Sequence, residues 1–194
     1  MKVALEAGEK WTFASALDWP GWCRRGRGDD AAVQALLGYA DRYRLVAGDG
    51  FRPGPVQVVG RADGGPAIDF GAPGPPQEWD RGPAGPAALG LLRACWDYFD
   101  QVVASSPAEL RKGPRGGGRD RDRMVDHVRE AERSYASKAG VRVAPRTPWP
   151  EQREMLVEVL GPGAPDARWP VRYSLRRIAW HVLDHAWEME DRRV

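Results

Sequence analysis

The chain has 194 residues, of which 42% are hydrophobic and nine are tryptophans, so it carries enough apolar material for one packed domain or one and a half. This excludes an intrinsically disordered chain. With 29 basic and 27 acidic residues the net charge is only +2, and no global field drives the protein onto nucleic acid or an anionic membrane.

No apolar run is long enough to span a bilayer, and the N-terminus opens on a charged amphipathic segment instead of a secretory signal. A cytoplasmic location without membrane contact is the expectation. Cys23 and Cys95 are far apart and lack CxxC spacing, so both are expected as reduced thiols, Cys95 within a helix core. Heavy use of Arg, Ala, Gly and Pro, with few lysines, resembles the output of a GC-rich bacterial genome.

In chain order, Lys2 to Ala7 and Lys10 to Leu17 alternate well enough for two strands joined at Gly8-Glu9. Asp18-Trp19-Pro20-Gly21 is a turn, because proline fixes φ and glycine accepts positive φ. The basic cluster Trp22-Cys23-Arg24-Arg25-Gly26-Arg27 has two readings, an anion or nucleic-acid contact and a solvated loop beside the turn; we take the loop. Asp29 or Gly28 caps a helix over about 30–46, and Val56 to Val59 forms a third strand. Residues 1–70 thus read as a small α+β module of order β-β-α-β.

Residues 60–86 are crowded with glycine and proline, which places a linker at 71–85. The remainder, 86–194, is helical by periodicity, with helices at about 86–104, 119–139, 149–160 and 170–191. The basic, glycine-rich stretch 111–118 invites a phosphate-cradle reading, but it lacks GxxxxGK[ST] or GxGxxG order and follows no strand. A helix-to-helix connection is the expectation there. Gly140 and Gly161-Pro162-Gly163 are helix stops. The fold class expected is α+β, with an antiparallel four-helix bundle after the small module.

His181 and His185 stand four residues apart in the last helix, so their imidazoles lie on one side, about a turn from each other. The chain's third histidine, His127, falls in another helix. Projected at ~100° per residue, Val171, Leu175, Ile178, Ala179, Val182, Ala186 and Met189 form an apolar arc with His181 and His185 at its margin. They share a stripe there with Ser174, Glu188 and Arg192. His127 occupies the same marginal position beside Met124, Val128, Ala131 and Tyr135. Packing these arcs together would direct three imidazoles to one partly buried edge, where unpartnered histidine is costly and a metal would supply the partner. The competing reading is a chance His-x3-His pair with ordinary surface or satisfied core histidines.

The run Arg177-Ile178-Ala179-Trp180-His181-Val182-Leu183-Asp184-His185-Ala186-Trp187-Glu188-Met189-Glu190-Asp191-Arg192, with Asp126-His127-Val128-Arg129-Glu130, resembles the DinB-like superfamily of bacterial four-helix bundles. The resemblance covers about 84–194. It implies that His127 matches the lone ligand of the second helix, and that His181 and His185 match the His-x3-His pair, together binding a divalent metal. It says nothing of residues 1–70. There the turn Trp19-Pro20-Gly21-Trp22-Cys23 before an Asp-initiated helix loosely resembles the antitoxin-type HicB module, and no function is taken from it.

The resemblance further implies a metal-dependent thiol S-transferase or hydrolase, with a low-molecular-weight thiol and a small-molecule electrophile as partners. Zinc is the default for three nitrogens, while nickel, iron or copper share the ligand type. Glu130, Asp184 and Glu188 are candidate catalytic or supporting residues, although Glu188 has a helical partner in Arg192, and Asp184 is otherwise solvated or paired with Arg177 or a neighbouring arginine. Trp180 and Trp187 share a side that suits packing against the N-terminal module or a second subunit, since bundles of this size often form homodimers. The alternative of a different class is a non-enzymatic, metal-stabilised binding or stress-response module acting through residues 1–70.

Overall fold

Alternating side chains build the sheet, and the periodic segments build the helices around it. The computed structural model describes residues 1–113, 118–162 and 167–193, and it is a mixed α+β structure. Strands β1 (Lys2–Ala7), β2 (Thr12–Ala16), β3 (Cys23–Gly26) and β4 (Gln57–Asp63) form one sheet in the order β3-β2-β1-β4. The first three make an antiparallel meander, and β4 returns to pair in parallel with β1. Helices α1 (Asp29–Gly38), α2 (Ala40–Ala47) and α3 (Pro66–Phe70) belong to this half. Helices α4 (Pro86–Ser105), α5 (Arg121–Lys138), α6 (Trp149–Leu160) and α7 (Val171–Asp191) follow, within two residues of the expected bounds.

The expected β-β-α-β order is corrected in two places. Cys23–Gly26 is an edge strand and not a solvated loop. Its arginines read as loop in isolation, yet the segment pairs with β2, with Cys23 and Gly26 buried, Arg24 half-buried and Arg25 exposed. Gly26 is required there, because a Cβ would lie 2.3 Å from the Ala31 carbonyl carbon of the helix crossing it. The single helix expected over 30–46 breaks at Tyr39, whose φ of −99° and ψ of 7° leave the helical region. Gly28 caps α1 without a side-chain bond, and Asp29 instead accepts from Thr12 and Arg61.

The sheet is covered on both faces. Val3, Leu5, Ala14 and Ala16 join Ala32 and Leu36 of α1 in the main core, which runs on without interruption into α4, α5, α6 and α7. On the other face Phe13 meets Trp180 of α7 edge-on at 5.9 Å between ring centroids. Burial on two sides explains why α7 is sequestered well beyond its expected apolar arc, with Ser174, Arg176, Trp180, Leu183 and Trp187 all buried. α7 also packs on α4, α5 and α6.

The Gly/Pro-rich stretch lies against this helix. Pro73 and Gly74 carbonyls accept hydrogen bonds from Arg177 and Tyr173, and Asp80, at the end of a 3-10 turn (Glu78–Asp80), takes Arg176 at 3.0 Å through both carboxylate oxygens. Gly140 carries the positive φ, 89°, expected of a helix stop. Residues 114–117 of the glycine-rich connection, and Gly163 of the later stop, lie outside the described residues.

Candidate metal centre

A four-residue spacing on a continuous helix brings His181 and His185 together, with ring centroids 4.6 Å apart. α5 packs across α7 and delivers His127 to 5.1 Å from His181 and 4.9 Å from His185. One nitrogen from each ring lies within 4.8 Å of the other two, and among the described residues the group is made of these three imidazoles. Nitrogens around a tetrahedral ion at ~2.1 Å sit about 3.4 Å from one another, so small side-chain rotations bring this set to coordinating distance.

His181 is 7% exposed, and His127 and His185 are half-buried. Burial, reinforced by the neighbouring His185 ring and Arg119 guanidinium and opposed by Glu188, depresses His127 to about 4. Burial also holds His181 well below the ordinary imidazole value, assisted by His185, His127, Arg177 and Arg119. Both rings are therefore neutral at physiological pH, the form that ligates metal. The ring of Tyr135 walls the site, edge-on to His181 at 5.6 Å.

The third ring is oriented from behind. Glu188 Oε2 lies 3.0 Å from His185 Nδ1, and Glu188 Oε1 accepts from Arg192 Nη1 at 2.8 Å. Arg192 Nε in turn donates to the Arg111 carbonyl at 2.7 Å. Burial opposes ionisation of Glu188, but His185 and Arg192 outweigh it and hold the carboxyl below its ordinary range. A carboxylate accepting from Nδ1–H leaves the Nε2 lone pair of His185 for a ligand, the usual carboxylate-histidine support of a metal site. The two roles weighed for Glu188, orienting the ring and pairing with Arg192, are thus performed by its two oxygens.

Asp184 turns away. It pairs at 2.8 Å with Arg24 of β3, and not with Arg177, while Arg24 also stacks 3.9 Å over Tyr39. Glu130 is exposed, 3.7 Å from Arg133, and does not join the three-histidine group. Trp180 and Trp187 pack on Phe13 and Tyr39, both from the N-terminal half. Neither cysteine takes part: both are buried, and burial pushes the Cys23 thiol up to about 12 and raises Cys95 as well.

Arg24 and Arg111 escaped the sequence reading. Neither has a local signal, since their partners lie 160 and 81 residues away.

Comparison with protein-family models, curated proteins and solved structures finds no match to this chain. Among the described residues no helix is long and apolar enough to cross a membrane.

Proposed function

We propose that the protein binds one divalent metal ion, zinc by preference, through His127, His181 and His185, and that it acts as a metal-dependent thiol S-transferase or hydrolase of the DinB-like kind. In this reading α4, α5, α6 and α7 constitute an antiparallel four-helix bundle. One observation carries the proposal: three imidazole nitrogens from two helices lie within 4.8 Å of one another, with no carboxylate or thiol among them. Such a set leaves room for a further ligand.

When bound, the ion supplies Lewis acidity, which activates a thiol or a water near neutral pH. The chain's own groups do the remainder. His127 and His181 are kept proton-free by burial, so little ligand deprotonation opposes binding. Glu188 fixes the His185 ring, and Arg192 fixes Glu188. Because both cysteines are buried with thiols raised, any reacting thiolate comes from a separate small molecule.

The test is a screen of the zinc-loaded protein with low-molecular-weight thiols and electrophilic acceptors. Turnover should appear with at least one thiol and vanish in His185→Ala. Turnover that survives that substitution overturns the assignment. Zinc bound tightly with its coordination closed by protein and no turnover would favour the second reading, a metal-stabilised binding module. The uninterrupted core between the sheet and α7 is the observation on its side.

A further inference from the structure

Glu6, on β1 between the sheet and α7, is 0% exposed and takes no part in the metal centre. It shares one cation with a second buried carboxylate. Arg176 Nη1 meets Glu6 Oε2 at 3.1 Å, while Nε and Nη2 hold the two oxygens of Asp80 at 3.0 Å. Nη1 also reaches Ser15 Oγ at 3.2 Å, and that hydroxyl donates to Cys23 Sγ at 3.0 Å. The charged and titratable groups facing Glu6 are therefore Arg176 of α7, Asp80 of the 3-10 turn and Cys23 of β3, whose buried thiol stays protonated. Arg177 of α7 also lies within electrostatic reach, but its Nη1 donates to the Pro73 carbonyl and it pairs with no carboxylate among the described residues.

The two carboxylates are not equivalent. Both oxygens of Asp80 are engaged, and Oδ2 accepts from the Gln77 N–H as well, at 3.0 Å. Glu6 Oε1 is buried and has no donor among the described residues. The backbone of Gly74 closes over it. A Cβ at Gly74 would lie 3.2 Å from Oε1 and 2.7 Å from the Gly64 Cα, and the Gly74 carbonyl is itself held by the Tyr173 hydroxyl at 2.6 Å. One guanidinium offsets one of two negative charges, and an ionised Glu6 would carry the other on an oxygen that nothing solvates. A proton on Glu6 removes that cost and the repulsion from Asp80. Burial indeed raises the Glu6 carboxyl above its ordinary 4.5 against Arg176, and Asp80 adds to the rise.

We propose that Glu6 is a proton-operated latch: neutral in the folded chain, it lets the strap 73–80 lie against β1 and α7, and its ionisation in alkaline solution loosens that strap. No histidine takes part, so the latch does not depend on the metal reading. A raised folded value means that the contribution of the neutral carboxyl is complete below 4.5 and is lost as pH rises through the folded value.

Infrared difference spectroscopy and hydrogen exchange of the full chain, wild type against Glu6→Gln, test the latch. At neutral pH the wild type should show the carbonyl stretch of a protonated carboxyl that the variant lacks; Glu132, buried in both chains, cancels in the difference. The opening constant of 73–80, read from amide exchange and taken as the ratio of wild type to variant, should rise by up to about tenfold per pH unit above 4.5. Taking the ratio removes the intrinsic pH dependence of exchange. No carboxyl band at neutral pH, or a ratio that stays flat or falls as pH rises, overturns the proposal. So does a Glu6→Gln chain that fails to fold, because glutamine has the shape and charge of the neutral acid.

Discussion

Arg176 and His181 leave α7 little more than a turn apart, yet the buried clusters they anchor are opposites. Every nitrogen of the Arg176 guanidinium is engaged: Nε and Nη2 hold Asp80 at 3.0 Å, and Nη1 meets Glu6 at 3.1 Å and Ser15 at 3.2 Å. Among the described residues the three histidines have only the Glu188 hydrogen bond to His185 between them. Arg176 belongs to a charge cluster that joins β1, the 3-10 turn and α7 and uses every guanidinium nitrogen, with Glu6 Oε1 the one buried oxygen of the cluster lacking a partner among the described residues. The imidazoles form an open one, with ring nitrogens left without partners among the described residues. Burial alone does not mark a functional site; buried groups left without partners do.

Breaking the Arg176 cluster should have the largest effect. Arg176→Met strands Glu6 and Asp80 without a cation, and equilibrium denaturation should show a loss of about 3–5 kcal/mol. A loss below about 1 kcal/mol would mean that the cluster is not the lock described here.

Glu132 makes a second buried cluster on α5, five residues from His127. Its carboxylate accepts from Trp96 and Trp149 at 2.7 Å and from Gln152 at 3.0 Å, tying α4, α5 and α6. Glu132→Gln removes an acceptor oxygen from three donors and should cost about 2–3 kcal/mol. The effect depends on pH. Burial pushes the Glu132 carboxyl above its ordinary 4.5, against Arg153 and its three donors. A raised folded value means that the stability it contributes is complete below 4.5 and is lost as pH rises through the folded value. The advantage of wild type over Glu132→Gln, measured by urea unfolding, should therefore shrink as pH rises above 4.5. An advantage that grows over that range would reverse the assignment.

The open cluster should respond in a different quantity. Glu188→Gln leaves the helix intact but weakens the hold on His185, so metal affinity should fall about 10–100-fold in competition with a chelator, with the metal-free melting temperature within a few degrees of wild type. The reverse pattern, unchanged affinity and a collapsed melt, would make Glu188 a structural residue.

The same contrast explains what the sequence disclosed. Helices α4 to α7 were legible because Leu92, Cys95, Trp96, Phe99 and Val102 recur at helical spacing, and Pro86 and Gly140 mark ends. The histidine trio was legible because two members share one helix and the third sits at the margin of another apolar arc. What escaped was non-local. Arg176 finds Glu6 across 170 residues and Asp80 across 96, and no window shows that. The strand Cys23–Gly26 escaped because two of its four residues are arginines, which pattern alone assigns to solvent. In the structure one pairs with Asp184 and the other lies over Trp11.

The central claim is that His127, His181 and His185 hold a single ion. Elemental analysis of the purified chain after equilibration with zinc and extensive dialysis tests it directly, beside His127→Ala, His181→Ala and His185→Ala prepared in parallel. The account predicts one zinc per wild-type chain and a substoichiometric amount in each substitution. Wild type without zinc, or substituted chains that retain a full equivalent, would contradict it.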